Sequence, residues 1–545
     1  MRRSARAAAL SLFVVSVTSC ATGRGRPTSE ALEPVDRALA AMGGAEKVRA
    51  LETLTVRGSA RHWEPEQSLK ADGEPRLAGD SSFVAMRALD GKAARIEWDR
   101  KLVYPSVREY RFTEIITPSA GYVEGTDTGS PTKQMQTSNP PRHTMSGVRL
   151  AAALRELERS SPRLLLDMRS DPSNVARAPD VTVGGKQMTA VSYQAGDTTF
   201  TVLFDPQTGL PALVRTLDAD TIYGDSAYDL VLDDWRDVGG VKLAHQLRYE
   251  LDGREVARIA YDEVLANPPI PADRIDIPAE LRASASKPAT EGVPYQWVIR
   301  RQFIGLYLDS DAVLFDPQAS GGLKLVDVAP GVAQVAGGTH NSLVVEMADH
   351  LVVLDAPVSE VQSRWTLDAL RARYPGKPVK YLVLSHHHMD HVGGARTYVA
   401  QGATVLVGAG NAAHFQRMFA ASHRIDRDAL EQSPRPAEVV EIADKQVLTD
   451  GTRTLEIYRI ENPHAEGMLF SYVPEAKLGF VVDLWNPGSD KLSDKLSPGQ
   501  AALAAALSRR GIAPERLAGG HGSVADYAQL AARATVHETG TGTAQ

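Results

Sequence analysis

The sequence predicts a protein of two structured parts with an α+β / α/β organisation: a curved antiparallel β-sheet with helices, then a layered α/β domain. Between about Leu54 and Asn267, apolar and polar residues mostly alternate with a period of two, which is typical of strands that bury one face. From about Gly322, short apolar runs alternate with helical patterns, as they do in layered α/β folds. A stretch rich in proline, alanine and serine at residues 268–294 separates the two patterns and is typical of a linker.

The composition is that of an ordinary globular protein. The chain has 545 residues, of which 43% are hydrophobic and 23% are charged, enough for roughly two to four domains. The formal net charge is −7, and basic residues are concentrated only at the N-terminus. This charge distribution argues against nucleic-acid binding. A small-molecule substrate is the expected partner.

The first twenty residues have the pattern of a targeting segment. Three arginines within the first six residues precede an apolar run at 7–17, which is too short to span a bilayer. The run ends in Val17-Thr18-Ser19-Cys20, which contains the only cysteine and resembles a bacterial lipoprotein cleavage box. The resemblance implies cleavage before Cys20, lipidation of Cys20 and a membrane anchor, and Ala21 favours the outer membrane, facing the periplasm. A plain secretory signal with an incidental cysteine is the alternative.

The N-terminal half is expected to form an antiparallel sheet crossed by helices. A helical pattern at 32–41 ends at Gly43-Gly44, and a second short helix follows at 45–51. A third helix is expected at 147–160, and turns such as Leu89-Asp90-Gly91-Lys92 separate the strands. The expected strands are 54–59, 82–88, 93–98, 109–117, 189–194, 198–205, 212–218, 229–238, 241–251 and 255–264.

Three segments of this half carry a family resemblance: Met42-Gly43-Gly44, Thr55-Val56-Arg57-Gly58 and residues 237–243. Together they resemble the half-barrel domains of periplasmic lipoprotein carriers, over roughly residues 30–283. This half shows no cluster of metal ligands and no nucleophile–base pair. Two interpretations remain open: a scaffold on the membrane side, or a domain whose concave face binds an acyl chain or another amphiphile.

The C-terminal half is expected to alternate strands with helices. The expected strands are 323–328, 332–337, 342–347, 351–354, 379–384, 404–407, 439–442, 445–448, 454–460, 469–473, 478–482 and 516–518. The expected helices are 359–373, 394–401, 411–422 and 498–509.

One stretch of this half, Ser-His-His-His-Met-Asp-His at 385–391, holds four of the 14 histidines and directly follows an apolar strand. We call it the histidine cluster. His386 and His388 are two residues apart in extended backbone and so project to the same side. Asp390 and His391 follow where the chain turns into the next helix. Imidazole and carboxylate ligands suit Zn²⁺, and also iron or manganese.

This run matches the H-x-H-x-D-H signature of the metallo-β-lactamase superfamily, and the resemblance extends over roughly 322–525. It implies an αββα sandwich with a two-metal site of the glyoxalase II or lactonase type and two Zn²⁺ ions as cofactors. It assigns His386, His388 and His464 to one metal and Asp390, His391 and His521 to the second, with Asp483 bridging them and Asp355 supporting the metal loop. Ala465 departs from the family pattern, which usually has Ser or Thr after the histidine at 464.

The resemblance implies hydrolysis of an ester-like bond (ester, lactone, thioester or amide) by a metal-bridging hydroxide, with Asp390 as the catalytic carboxylate that orients it. An aspartate at 483 is typical of the thioesterase, lactonase and phosphodiesterase members rather than of dedicated β-lactamases. The alternatives are β-lactamase-type amide hydrolysis, a mononuclear iron oxygenase of the persulfide-dioxygenase type, and a non-enzymatic lipid-binding lipoprotein. His388 disfavours the flavodiiron branch, which has glutamate there.

Other histidines have less defined roles. We expect His387 to pack or to support the ligands. His340 lies in a loop that could reach the rim of the site, and His414 and His423 could line the pocket, but an ordinary structural role is favoured for these three. The predicted boundaries are 1–20 for the signal peptide, 21–29 for a tether, 30–283 for the sheet domain, 284–321 for a linker and connecting segment, 322–535 for the catalytic domain and 536–545 for a disordered tail. The sequence names neither the substrate nor the oligomeric state.

Overall fold

The computed structural model describes residues 29–105, 107–127, 139–289, 293–304, 309 and 322–540. The predicted signal peptide with Cys20, most of the predicted tether, and most of the second half of the connecting segment lie outside these residues. In the described part, no helix is both long and apolar enough to cross a membrane.

The N-terminal part consists mainly of long strands. Its strands are β1 Thr53–Glu64, β2 Arg76–Ala88, β3 Ala93–Leu102, β4 Arg108–Thr117, β5 Ala120–Gly125, β6 Arg142–Thr144, β7 Val175–Val183, β8 Lys186–Ala195, β9 Thr198–Phe204, β10 Pro211–Asp220, β11 Gly224–Val238, β12 Val241–Leu251 and β13 Arg254–Ala266. Its helices are α1 Ser29–Ala41, α2 Ala45–Arg49, α3 Gly147–Arg159, α4 Leu164–Ser170, α5 Ala279–Ala283 and α6 Tyr295–Ile304, with 3₁₀ turns at Pro65–Gln67, Pro172–Asn174 and Ala272–Arg274.

These strands form one antiparallel sheet in the order β6-β5-β4-β3-β2-β1-β13-β12-β11-β10-β9-β8-β7. The chain starts in the middle, runs outward to the edge strand β6, crosses through α3 and α4 to the other edge at β7, and returns to pair β13 with β1. The predicted antiparallel sheet is therefore confirmed, whereas the half-barrel form stays a prediction.

Strands β5, β6 and β7 and the short helices α4 and α5 are among the elements of this part that were not predicted. β7 is an edge strand whose side chains are mostly exposed on both faces, so it lacks the alternation that marks a half-buried strand. β5 and β6 are short, and four consecutive residues of β5 are buried. α4 is a single apolar helix of two turns, too short to show a helical period.

The C-terminal part alternates strands and helices. Its strands are β14 Lys324–Ala329, β15 Val332–Ala336, β16 Ser342–Glu346, β17 Leu351–Leu354, β18 Val379–Val383, β19 Thr404–Gly408, β20 Val439–Ile442, β21 Lys445–Thr449, β22 Thr454–Arg459, β23 Leu469–Val473, β24 Leu478–Val481, β25 Arg516–Gly519 and β26 Val524–Asp526. Its helices are α7 Glu360–Arg373, α8 Met389–Val392, α9 Ala395–Gln401, α10 Ala412–Ala420, α11 Ala429–Gln432, α12 Pro498–Arg509 and α13 Ala528–Gly540, with a 3₁₀ turn at Pro474–Ala476.

Two sheets pack face to face in this part. β14 to β20 form one sheet and β21 to β26 form the other, both in chain order. Apolar residues of both sheets, such as Val352 and Leu354 on one and Ile457 and Phe480 on the other, share one buried cluster. Helices α7 and α9 cover the outer face of the first sheet, and α12 covers the second. This arrangement confirms the predicted αββα sandwich.

The C-terminal end of the chain differs from the prediction. The alanine-rich helix α13 continues to Gly540, so residues 536–540 of the predicted disordered tail are helical. Alanine, glutamine, leucine and arginine at its start favour helix, and buried Leu530 anchors it. Residues 541–545 lie outside the described part of the chain.

The two parts share an apolar core, and buried charge holds one segment of the N-terminal part in place. One apolar cluster includes residues of the N-terminal sheet, of α6 and of the first sandwich sheet. The α6 guanidinium of Arg300 lies 2.8 Å from Glu64 and 3.0 Å from Glu66, and all three side chains are almost completely buried. Arg301 lies 3.3 Å from Glu64 as well. These pairs fix the end of β1 and the 3₁₀ turn after it.

We predict that Arg300→Met lowers the free energy of unfolding by about 3–5 kcal/mol, because it leaves buried carboxylates short of a partner. Denaturant titration of the full chain measures the change. Arg248→Met is the matched control, since it removes a half-exposed pair with Glu250 at 3.0 Å and should change the same free energy by at most about 1 kcal/mol. Equal losses of unfolding free energy in the two variants would contradict a special role for the buried Arg300 pairs.

Candidate metal centre

The histidine cluster leaves the first sandwich sheet at the end of β18 and is held there by Asp355. Asp355 follows β17, the parallel neighbour of β18, so both segments emerge at one edge of the sheet. Its two carboxylate oxygens accept hydrogen bonds from the backbone N–H of Ser385 (2.7 Å) and from the Ser385 hydroxyl (2.9 Å). Asp355 is fully buried at a φ of 62°, a left-handed geometry that aspartate tolerates well.

The same carboxylate orients two histidine rings. Nδ1 of His391 lies 3.2 Å from Asp355 Oδ2. Nδ1 of His386 lies 3.1 Å from the oxygen of Ser385, whose own hydrogen is donated to Asp355. Each Nδ1 therefore carries a ring hydrogen, and each Nε2 is left to hold a proton or a cation. Within the described residues, both buried Nε2 atoms lack a hydrogen-bond partner of good geometry.

Asp483 lies at the centre of the cluster. Its Oδ2 is 3.2 Å from Nε2 of His386, 3.1 Å from Nε2 of His391 and 3.2 Å from Nε2 of His464. Its Oδ1 is 2.8 Å from Nε2 of His521. One carboxylate thus contacts four histidines that come from three separate segments of the sandwich, at the ends of strands in both sheets.

The ligand atoms fall into two groups, each with its atoms within 4.8 Å of one another. The first group is His386, His388, His464 and Asp483, and the second is His340, Asp390, His391 and His521. The structure therefore brings together every residue that the sequence proposed as a metal ligand. It also adds His340 to the second group, with Nε2 at 3.2 Å from Asp390 Oδ2, deeper than the rim position expected for it.

The donor chemistry of these groups fits divalent cations. Neutral imidazole and ionised carboxylate are the ligands that zinc takes, and the orphaned Nε2 atoms of His386 and His391 point into the cluster. The carboxylates alone would also draw protons onto some of these rings. The cluster therefore suits either cations or the protons that replace them.

Burial and charge set the protonation states of the metal-free site. Burial lowers the pKa of His386 to about 4, although Asp483 opposes this shift. Burial alone would raise the pKa of Asp483, but His391, His464 and His521 outweigh it and hold that pKa well below its usual range. At His391, burial is outweighed by the carboxylates of Asp483 and Asp390, which raise its pKa well above its usual value. A cation at His391 must therefore displace a proton.

Residues of the N-terminal sheet domain also contact the site. The backbone carbonyl of Ser68 accepts hydrogen bonds from Nε2 of His388 (2.9 Å) and of His387 (3.0 Å). The amide of Gln67 donates to Asp390 Oδ1 at 2.8 Å, across 323 positions of the chain. Sequence reasoning missed both residues, because neither carries a motif and the contact is made only by folding.

Asn462 supports the turn that carries His464. Its side-chain oxygen accepts hydrogen bonds from the backbone N–H of His464 (2.8 Å) and of Ala465 (2.9 Å), and its amide donates to the Ala465 carbonyl (3.0 Å). Ala465 itself is fully buried. The turn is thus held by the residue two positions before the histidine.

The two histidines considered as pocket lining, His414 and His423, lie outside both ligand groups. His414 pairs with Asp72 of the sheet domain at 3.0 Å, and its ring packs 5.8 Å from that of His387. His423 lies 3.7 Å from Asp428, between α10 and α11.

Comparison with known proteins gives one family match. Residues 335–521 match the family model described as Metallo-beta-lactamase superfamily. This region of the chain is a metallo-β-lactamase superfamily domain. It contains most of the sandwich and all the candidate ligands described above. The comparison with curated proteins gives no match.

Solved structures similar to the chain include two metallo-β-lactamases and an alkylsulfatase. The metallo-beta-lactamase from Pontibacter korlensis is 19% identical over 40% of this chain and 99% of its own, with a TM-score of 0.31. The metallo-beta-lactamase FIM-1 from Pseudomonas aeruginosa, in a mono-zinc form, is 18% identical over 41% and 97%, with a TM-score of 0.31. The sec-alkylsulfatase Pisa1 from Pseudomonas sp. is 20% identical over 41% and 42%, with a TM-score of 0.29.

We predict that Asp355→Asn weakens zinc binding to the metallo-β-lactamase domain by about 10–100-fold, because the amide cannot accept all the hydrogen bonds that orient Ser385 and His391. Competition with a chromophoric chelator measures the affinity. Asp349→Asn is the control, since Asp349 is exposed and contacts only its neighbour His350 among the side chains described (2.6 Å). Unchanged affinity in Asp355→Asn would contradict this role.

Proposed function

We propose that the protein is a dinuclear zinc hydrolase that cleaves an ester-like bond (ester, lactone, thioester or amide) in a small molecule. The observation that carries the proposal is the position of Asp483, whose two oxygens contact histidines of both ligand groups. A single carboxylate placed between two sets of imidazoles is suited to bridging two cations. The metallo-β-lactamase family match over residues 335–521 supports the same reading.

The first ion would be held by His386, His388, His464 and Asp483, and the second by Asp390, His391, His521 and Asp483. Zinc bound there would supply Lewis acidity, which makes water a competent nucleophile near neutral pH. His340 lies within the second group and is available as a further ligand or as a hydrogen-bond donor to Asp390.

Asp390 is the side chain placed to accept a proton from the attacking water. Gln67 donates to its Oδ1, and its Oδ2 faces the cluster beside His340. His391 and His340 hold the pKa of Asp390 well below its usual range despite its burial, so it is an ionised acceptor. It can take a proton from the attacking water as the new C–O bond forms. That proton then passes to the leaving oxygen, sulfur or nitrogen as its bond to the acyl carbon breaks.

We predict that the protein binds two equivalents of zinc, and that both chelation and Asp390→Asn lower kcat by at least about 100-fold. The measurements are metal analysis and turnover on a panel of lactone, thioester, phosphodiester and β-lactam substrates. Asp368→Asn, on the exposed side of α7, should retain full activity. Absence of bound metal, or turnover that survives both changes, would end the hydrolase proposal. A mononuclear iron preparation that consumes O₂ would favour the oxygenase alternative.

We also propose that the protein is exported and anchored by acylation of Cys20 in the outer membrane, facing the periplasm, and that its sheet domain binds an amphiphile. The apolar run before Cys20 supports the anchor. An apolar cavity between the sheet and α4 supports the amphiphile. Met42, Leu165, Trp235, Leu247 and Val264 are among its lining residues, with Arg87 and Arg159 as the cationic ones. The apolar lining is suited to part of an acyl chain.

We predict that intact mass spectrometry of the protein extracted from membranes shows acyl groups on an N-terminal Cys20 and a co-purifying lipid. Cys20→Ala should move the protein to the soluble fraction while leaving zinc content unchanged. An unmodified cysteine in soluble protein would remove the anchor proposal, and lipid-free protein would remove the amphiphile proposal.

A further inference from the structure

A segment of the sheet domain, residues 64–76, lies across the metal centre, and we name it the strap. Its contacts reach the sandwich at several separate points. The Leu69 carbonyl accepts from the backbone N–H of Glu466 (2.7 Å), and the Arg76 guanidinium donates to the His464 carbonyl (2.6 Å). The strap therefore touches the turn that carries one ligand as well as the histidine cluster.

The strap fixes the ring of His388. A backbone carbonyl only accepts hydrogen bonds, so Nε2 of His388 must carry the hydrogen that it shares with Ser68. Its Nδ1 then presents a lone pair, 3.0 Å from Nε2 of His464. Ser68 is almost fully buried, so water does not compete for this carbonyl.

Gln67 fixes Asp390 in the same manner. An ionised carboxylate only accepts, so the amide nitrogen of Gln67 must face Asp390 Oδ1, and its amide oxygen must face the other way. There it accepts a hydrogen bond from the hydroxyl of Tyr104. Burial and the charge of Asp390 raise the pKa of Tyr104 well above its usual value, so the phenol keeps its hydrogen. One chain of donors thus runs from Tyr104 through Gln67 to Asp390.

The base of the strap is itself immobilised. Glu64 and Glu66 flank Pro65 and are held by the buried guanidinium groups of Arg300 and Arg301. The geometry of Gln67, directly after these residues, is therefore set by buried ion pairs and not by a free loop.

We propose that Gln67 is a positioning residue of the metal centre: it holds one oxygen of Asp390 so that the other faces the second ligand group. Tyr104 acts through Gln67 by fixing its amide. The sheet domain is then a structural part of the metal site. The inference rests on the proposed function only in that it assumes metal binding, and it does not depend on the reaction catalysed.

The test measures the affinity of each of the two zinc ions in the full chain by chelator competition. Gln67→Leu should lower the affinity for the ion held by Asp390 by about 10–100-fold and leave the affinity for the other ion within about twofold of its original value. A general loss of structure would lower the affinity for both ions. The visible spectrum of the cobalt-loaded protein should change in the bands of one ion only.

Tyr104→Phe keeps the ring and removes only the hydroxyl, so it should lower the affinity for the same ion to a smaller extent. The double variant should bind this ion no more weakly than Gln67→Leu alone, because Tyr104 acts through Gln67. Gln302→Leu is the matched control, since the Gln302 amide donates to the buried carboxylate of Glu114 (2.7 Å) away from the metal centre. It should leave both affinities unchanged.

Several outcomes would overturn the inference. In the first, Gln67→Leu has the same two zinc affinities as the unaltered protein. In the second, Gln67→Leu lowers the affinity for both ions equally. In the third, Gln302→Leu lowers the affinity for the ion held by Asp390 as much as Gln67→Leu does. If Gln67→Leu fails to fold, the inference is overturned when Tyr104→Phe leaves the affinity for the ion held by Asp390 unchanged. Two zinc ions bound without any hydrolysis would refute the proposed function and leave this inference standing. Zinc binding that Gln67→Leu does not alter would refute this inference alone.

Discussion

The burial of charge is the constraint on which the rest of this structure depends. Four imidazoles surround the carboxylate of Asp483 out of bulk water, and two of their nitrogen atoms have no hydrogen-bond partner of good geometry in the described structure. Such an arrangement is unfavourable unless a cation or protons compensate it. Asp355 bonds the His391 ring directly and the His386 ring through Ser385, and these hydrogen bonds direct the remaining lone pairs of both rings towards Asp483.

A second buried charge cluster connects this centre to the other half of the chain. Arg300 and Arg301 hold Glu64 and Glu66, and the residues that follow contact Asp390 and His388. The shared apolar cluster between the sheet domain and the sandwich makes the connection rigid. The sheet domain therefore contributes to the metal centre directly, whether or not it also carries an amphiphile. This adds a role that neither the scaffold interpretation nor the carrier interpretation included.

Much of the fold and of the ligand set could be predicted, because both follow local rules. The period of two in strands such as β12, where buried and more exposed residues alternate, identified the antiparallel sheet. The alternation of strands and helices indicated a layered α/β domain, and the family resemblance implied the sandwich and the candidate ligands. Edge strand β7 and helix α4 were missed, since neither shows a period. Helix α13 was missed, and its residues 536–540 fall in the polar tail that was predicted to be disordered.

By itself, the sequence determined the two-part architecture, because strand and helix periods are local features. The short motif and the family resemblance it carries pointed to the candidate ligands, from His386 to His521, that the structure brings together. Only the tertiary structure decided the depth of His340, the support of the His464 turn by Asn462, and the contacts of Gln67, Ser68 and Tyr104. Those contacts join residues up to 323 positions apart. No periodicity or motif encodes such a pairing, since it arises from the packing of two domains and from the need to satisfy buried polar groups.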